Sequence, residues 1–134
     1  VAEDFKLTSG TWVSVGTLRL AVVTALAPLA QDVVVTGHDR SEIGLLVFLT
    51  EAARQQPRDD VAAKVRDALQ RLKAHGGGSS QAPARALLLA DAPSLAAGEI
   101  TDKGYINQRL VLQRRAADVE ALYAQPPSPH VITA

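Results

Sequence analysis

Lys103 lies in one of two segments of this chain whose residue types and spacing could serve chemistry. It stands between Asp102 and Gly104 in the segment Gly98–Arg109, ahead of a predicted helix, and it is the last lysine of the sequence. Glycines permit the backbone conformations that tight turns require, so we expect a loop here. A lysine on a mobile loop can reach a phosphate as a point charge. The alternative is an ordinary surface lysine without a function.

A second candidate segment, Asp4–Val13, lies near the start of the chain. Ser9 and Gly10 interrupt a loosely alternating pattern, and Trp12 follows almost directly. Two short strands joined by a glycine-containing turn form a β-hairpin. The pattern therefore predicts a protruding turn beside a large aromatic side chain, and the alternative is an ordinary hairpin tip.

Other side chains that often perform chemistry lack the context that the chemistry needs. His75-Gly-Gly-Gly resembles the oxyanion-hole signature of esterases, but no Gly-x-Ser-x-Gly sequence accompanies it and the run follows a predicted helix. We interpret it as a helix stop and a linker. His38, His75 and His130 are scattered along the chain. A zinc site needs three or four converging ligands, so we expect no metal site.

The remaining charge clusters predict structural roles. Asp59 or Asp60 is expected to cap the helix that starts there. Arg114 and Arg115 are expected to form an exposed face of the last helix. Nothing in either pattern specifically favours acid–base catalysis or an anion site.

Composition excludes several classes of function. The 134 residues include 14 Lys+Arg and 14 Asp+Glu, and this balance argues against a nucleic-acid partner. No apolar run approaches the roughly 20 residues that span a bilayer, so we expect no membrane association. The absence of Cys fits a reducing, cytoplasmic location. The chain begins at Val1 and has no Met, which indicates a piece of a longer protein.

The hydrophobic pattern predicts a small α+β domain. The two central apolar runs should be antiparallel strands, because their connection is short. The predicted elements are a hairpin over 5–15, a helix over 16–29, strands over 31–36 and 43–50, a helix that starts within 57–60 and ends before the glycine run, a strand over 86–90 and a helix over 107–124. We expect the strands to form a three-stranded mixed or antiparallel sheet flanked by helices. We expect the domain to occupy residues 1–125 and a disordered tail to occupy 126–134.

The two candidate segments together resemble a known family. Phe5-Lys-Leu-Thr-Ser-Gly-Thr-Trp-Val13 and Glu99-Ile-Thr-Asp-Lys-Gly-Tyr-Ile-Asn-Gln-Arg109 are similar to motifs in the C-terminal domain of adenylate-forming acyl- and aryl-CoA synthetases. Within the AMP-dependent synthetase and ligase family, they most resemble feruloyl-CoA synthase-like enzymes. The resemblance extends from the start of the chain through Tyr123, and the second motif is the longer and more specific.

This resemblance implies a two-step reaction in a larger enzyme. An N-terminal AMP-binding domain, absent here, would bind ATP, Mg²⁺ and an aromatic carboxylic acid such as ferulate. The carboxylate would attack the α-phosphate to give an acyl-adenylate. The C-terminal domain would then rotate, and the thiol of CoA would displace AMP to give a thioester. The isolated chain is expected to be inactive and to hold no bound cofactor.

The resemblance also implies roles for individual residues. Lys103 would be the catalytic lysine of adenylation, although most of the superfamily has Gly-Lys-Ile-x-Arg and here the lysine precedes the glycine. Asp4 would be the hinge, with Glu3 as the close alternative. Lys6 and Arg19 would meet CoA phosphates. The loop that enters the site for thioester formation would consist of Thr8, Ser9, Gly10, Thr11 and Trp12.

A second hypothesis remains open from the sequence. The chain could be a non-catalytic binding module that keeps the small α+β fold and uses another surface. The presence of both Lys103 and Asp4 favours the enzyme domain, because a module freed from catalysis has little need of both.

Overall fold

The computed structural model describes residues 4–75 and 82–134. A two-stranded hairpin precedes a four-stranded sheet that carries helices on both faces. The elements in chain order are β1 (Phe5–Lys6), β2 (Trp12–Val13), α1 (Val15–Leu26), β3 (Ala30–Thr36), β4 (Ile43–Leu49), α2 (Glu51–Arg54), α3 (Arg58–His75), β5 (Pro83–Leu89), α4 (Gln108–Arg114), α5 (Ala116–Leu122) and β6 (Val131–Thr133). No helix in these ranges is long and apolar enough to cross a membrane.

The sheet is mixed and has the strand order β3-β4-β5-β6. Strand β4 pairs antiparallel with β3 and parallel with β5, and β5 pairs antiparallel with β6. Every residue of β4 is buried, as expected for a continuous apolar run covered on both faces. Alternate residues of the strands face opposite sides. One side packs under α1 and α3, and the other packs under α4 and α5.

The α+β fold and the N-terminal hairpin predicted from the sequence are confirmed. The three-stranded sheet and the disordered tail over 126–134 are wrong, because Val131–Thr133 forms a fourth strand. Ile132 pairs with Ala86 at the edge of the sheet, and Val131 pairs with Leu87. The apolar part of this strand is too short to show a period, so the prolines before it dominated the prediction.

Two helix predictions also need correction. The helix expected over 107–124 is interrupted at Arg115, whose backbone leaves the helical region and separates α4 from α5. Asp59 and Asp60 lie inside the first turn of α3 rather than at its cap position, where their charges favour the positive end of the helix dipole. The linker interpretation of the glycine run falls on 76–81, outside the described residues.

Gly44 allows the C-terminal helices to approach the sheet closely. A Cβ atom at this position would lie 2.6 Å from Leu122 Cδ2, 2.7 Å from Thr36 Oγ1 and 2.9 Å from Tyr123 Oη. The Tyr123 hydroxyl donates to the Glu42 carbonyl at 2.8 Å and shares a second hydrogen bond of 2.8 Å with Thr36. A side chain at position 44 would therefore displace the contact that fixes α5 against β3 and β4.

We predict that Gly44→Ala lowers the free energy of unfolding of the 134-residue chain by about 1–3 kcal/mol, the usual cost of overpacking. Chemical denaturation of both proteins measures the difference. Gly16→Ala is the matched control, because Gly16 lies in α1 with open space around it and alanine favours helix there by up to about 1 kcal/mol. Equal stabilities for the two variants would contradict the close approach at Gly44.

Candidate functional site

Lys103 lies at the tip of a small ordered turn. Ile100 and Ile106 form an antiparallel bridge at the base of this turn. The Gly104 amide donates to the Thr101 carbonyl at 2.9 Å, and Gly104 has φ of +89°, which glycine adopts without strain. Within residues 4–75 and 82–134 the Lys103 ammonium has no hydrogen-bonded or ion-paired partner, and its side chain is exposed. The fold thus presents this charge to the exterior.

The carboxylate of Glu99 lies beneath this turn and is completely buried. It accepts hydrogen bonds from Arg115 Nε at 2.8 Å and Arg115 Nη2 at 3.0 Å. The backbone amide of Ser94 donates a further bond of 2.8 Å. Arg114 Nη1 lies 3.0 Å from the same carboxylate. A buried charge is tolerated when it is paired and hydrogen-bonded in this way.

Arg115 connects this carboxylate to the sheet. Its guanidinium also donates to both carboxylate oxygens of Asp91, at 2.8 and 3.1 Å, and lies 5.0 Å from the ring centre of Phe48. The prediction that Arg115 forms part of an exposed helix face is wrong, because its side chain is only 11% exposed. The side chain of Arg114 is 43% exposed. The break between α4 and α5 occurs at Arg115, and its side chain packs inward there.

These contacts shift the pKa values of the groups involved. Hydrogen bonds from Arg115 hold the pKa of Glu99 and the pKa of Asp91 below their ordinary values. The same two carboxylates raise the pKa of Arg115. Each group is therefore held in its charged form at neutral pH.

The predicted thioester loop is the connection between β1 and β2. Leu7 and Thr11 close it with a backbone hydrogen bond of 2.9 Å, and the Gly10 amide donates to the Leu7 carbonyl at 2.8 Å. Gly10 has φ of +89°, so this position of the turn favours glycine. The Thr8 amide donates to the Arg40 carbonyl at 2.9 Å, which attaches the hairpin to the connection after β3.

Trp12 lies at the edge of a groove beside this hairpin. Its side chain is 55% exposed, and Lys6 Nζ lies 5.9 Å from the centre of its ring. The groove has a volume of about 830 Å³ and runs between the hairpin, the connection after β3, and helices α4 and α5. Thr8 also lines it, whereas Lys103 does not. The structure thus brings the hairpin residues together and leaves Lys103 on a separate loop.

Asp4, the predicted hinge, caps helix α1. Its Oδ1 atom accepts from the Val15 amide at 3.0 Å, while the side chain of Ser14 at the cap position makes no capping bond. The alternative hinge Glu3 lies outside the described residues. Arg19 makes two hydrogen bonds, of 2.7 and 2.6 Å, to the buried carboxylate of Asp32. The charge of Arg19 is thus paired within the fold, and its contact with a CoA phosphate stays a prediction.

Sequence reasoning missed the roles of Glu99 and Arg115. Sixteen positions separate them, and neither periodicity nor local spacing links them. Across the described ranges, no three His, Asp or Glu side chains are grouped so that they could hold a metal ion.

We predict that Glu99→Gln lowers the free energy of unfolding of the chain by about 3 kcal/mol at pH 7, because Arg115 then loses its buried partner. The pKa of Glu99 is lowered in the fold, so this stabilisation is complete above its ordinary value of 4.5 and is lost as the pH falls below it. Chemical denaturation at several pH values measures the difference.

The control for this prediction is Glu120→Gln. Glu120 pairs with Arg40 but is 72% exposed, so its loss should cost less than about 1 kcal/mol. A Glu99→Gln cost that equals the control, or that stays constant down to pH 3, would contradict the buried pair.

Solved structures of other proteins share this fold. The A-PCP didomain of a carboxylic acid reductase from Segniliparus rugosus, in complex with AMP, is 28% identical with a TM-score of 0.74. The match covers 91% of this chain and 17% of that one. The A domain of a carboxylic acid reductase from the same organism, with AMP and a co-purified carboxylic acid, is 26% identical with a TM-score of 0.74, covering 92% and 20%.

A third structure, the adenylation domain of a carboxylate reductase from Mycobacterium chelonae, is 22% identical and has a TM-score of 0.78, covering 92% of this chain and 20% of that one. At this identity it shows the fold alone. The chain thus spans about a fifth of the length of the structures it matches. No match was found among curated proteins.

A model of one protein family covers nearly the whole chain, from residue 6 to residue 126. That range includes β2 and the sheet strands β3 to β5, together with the Lys103 turn and most of the hairpin. The chain therefore belongs to the family of AMP-binding enzyme C-terminal domains.

Proposed function

We propose that this chain is the mobile C-terminal domain of an adenylate-forming enzyme and that Lys103 is its adenylation lysine. Family membership over 6–126 supports the first part. The observation that carries the second part is the unpaired, exposed ammonium of Lys103 at the tip of an ordered turn. A charge that has no partner within the described residues is available for a substrate that another domain binds.

In this proposal Lys103 acts electrostatically. The N-terminal AMP-binding domain would hold ATP and the carboxylic acid, and this domain would close over them. The ammonium would contact the carboxylate and the α-phosphate and stabilise the charge that develops between them during transfer. The other residues of the turn would hold the Lys103 ammonium in place and would take no part in the reaction themselves.

The hairpin would serve the second half-reaction. Rotation about Asp4 would bring Thr8–Trp12 towards the adenylate in place of the Lys103 turn. Gly10 lacks a Cβ and lets the backbone approach the thiol-bearing arm, and the exposed ring of Trp12 would form part of the channel wall. Thr8 and Trp12 line the groove beside the hairpin and Lys103 does not, which supports the use of the two loops in alternate orientations.

CoA is the thiol acceptor that we propose, and an aromatic acid such as ferulate is the proposed substrate. The enzyme would then be a cytoplasmic acid–thiol ligase. Both assignments rest on the likeness of the two motifs to feruloyl-CoA synthase-like sequences. Mg²⁺ would accompany ATP, but the described residues include no group that fits a metal ion, so we derive no step from it.

A second candidate is the corresponding part of a carboxylic acid reductase. The two matched Segniliparus rugosus structures at 28% and 26% identity favour it, because both belong to carboxylic acid reductases. The reaction distinguishes the candidates: the thiol of CoA displaces AMP to give an acyl-CoA thioester in the first, whereas the second would consume a reductant to reduce the carboxylic acid.

We predict that Lys103→Ala in the full-length enzyme lowers acyl-adenylate formation by about 10²–10³-fold, the usual cost of losing one positioned electrostatic group. Acid-dependent ATP–pyrophosphate exchange measures this step. Thioester formation from supplied acyl-adenylate should remain nearly unchanged, because the hairpin serves that step.

The matched control for this prediction is Lys64→Ala, which removes a lysine from the exposed side of α3 and should leave both steps unchanged. An equal loss of both steps in Lys103→Ala would overturn the role of Lys103.

We predict that Asp4→Pro slows thioester formation while acyl-adenylate formation is retained, because proline fixes φ at the hinge. Single-turnover assays of each half-reaction in the full-length enzyme measure the difference. Asp4→Ala is the control, since it loses the Val15 contact as proline does but keeps backbone freedom. Thioester formation at the same rate in Asp4→Pro and Asp4→Ala would contradict the hinge.

A further inference from the structure

We infer that the Glu99–Arg115 ion pair positions Lys103, so that the rate of adenylation depends on two residues that touch no substrate. This inference rests on the proposed function of Lys103. It assigns positioning roles to Glu99 and Arg115, and it is carried by the chain of contacts between the buried pair and the exposed turn.

The first step joins Glu99 to the tip of the turn. The Asn107 amide donates to the Glu99 carbonyl at 2.8 Å and so closes the base of a miniature hairpin. The bridge between Ile100 and Ile106 is the next connection. Above it, the Thr101 amide donates to the Tyr105 carbonyl at 2.9 Å.

Two further contacts complete this small hairpin. The Tyr105 amide donates to Thr101 Oγ1 at 3.0 Å. The Asn107 side chain accepts from the Leu110 amide at 3.1 Å and caps α4, so the base of the hairpin continues directly into a helix. A change in the orientation of Glu99 would therefore reach Lys103 through a short series of hydrogen bonds.

The second step joins Glu99 to the sheet. Arg115 holds the Glu99 carboxylate with two hydrogen bonds and Asp91, just beyond the end of β5, with two more. Its guanidinium also lies over the ring of Phe48 in the fully buried strand β4. The pair thus connects an exposed turn to a fully buried strand of the sheet.

The Glu99–Arg115 pair fixes an orientation that an apolar contact would not. Burying two charges costs several kcal/mol per ion before pairing, and apolar residues of similar volume often stabilise a fold as well or better. An apolar contact has no direction, whereas a carboxylate with two guanidinium bonds and one amide bond has one orientation. Catalytic groups need positions fixed to within about 0.5 Å. The directed hydrogen bonds of the Glu99 carboxylate hold the base of the turn in one orientation.

A double-mutant cycle in the full-length enzyme tests the inference. Acid-dependent ATP–pyrophosphate exchange is measured for the parent, Glu99→Gln, Lys103→Ala and the double variant. We expect Glu99→Gln alone to lower exchange by up to about 100-fold, the cost of misplacing a catalytic group by about 1 Å. In the Lys103→Ala background the same substitution should cause no further loss, and thioester formation from supplied acyl-adenylate should stay unchanged.

The outcomes separate the inference from the proposed function. If Glu99→Gln lowers exchange equally in both backgrounds, or lowers both half-reactions equally, the pair has only a structural role and the inference is overturned. If Lys103→Ala itself leaves exchange unchanged, the proposed role of Lys103 fails, whatever Glu99→Gln does.

A second variant keeps the test decisive if Glu99→Gln does not fold. Arg115→Lys keeps a cation beside Glu99 but cannot make the paired hydrogen bonds to Glu99 and Asp91 that the guanidinium makes. We expect several-fold slower exchange, no additional loss with Lys103→Ala, and unchanged thioester formation from supplied acyl-adenylate. Exchange at the parent rate in Arg115→Lys would overturn the inference in that case.

Discussion

The buried carboxylate of Glu99 is the constraint on which the C-terminal half of this domain depends. Its charge is removed from water and is compensated by Arg115, the residue at which the chain leaves the helical path between α4 and α5. The same guanidinium donates hydrogen bonds to the Asp91 carboxylate, just beyond the end of β5. One interaction therefore fixes the helix break, the exit from the sheet and the loop that bears Lys103.

Other contacts organise the N-terminal half. The Asp4 side chain caps α1, and the Thr8 backbone attaches the β1–β2 connection to the chain at Arg40, while Ser9 and Gly10 stay exposed. Hairpin residues line the groove beside α4 and α5, whereas Lys103 does not. Under the proposed function, rotation of the whole domain would present the hairpin and the Lys103 turn to one partner in succession.

Local sequence patterns predicted much of the architecture. The uninterrupted apolar run of β4, the Ser9-Gly10 turn and the short connection after β3 each predicted the observed element. Long-range chemistry was beyond such patterns. Arg115 packs inward because it pairs with Glu99, sixteen residues away, so its prediction as an exposed residue was wrong. Strand β6 forms by pairing with the edge of β5, so the prediction of a disordered tail was wrong. The proposed roles of Lys103 and the hairpin come from family likeness, because an exposed lysine or a hairpin tip does not by itself indicate a chemical role.

A structure of the full-length enzyme with a bound acyl-adenylate analogue tests the central claim most directly. In the orientation that closes over the adenylate, the proposal places Lys103 Nζ within hydrogen-bonding distance, about 2.7–3.2 Å, of the analogue's carbonyl or phosphate-position oxygens. The turn should keep the Glu99–Arg115 pair intact beneath it. A closed complex in which another residue occupies that position while Lys103 points into solvent would contradict the account.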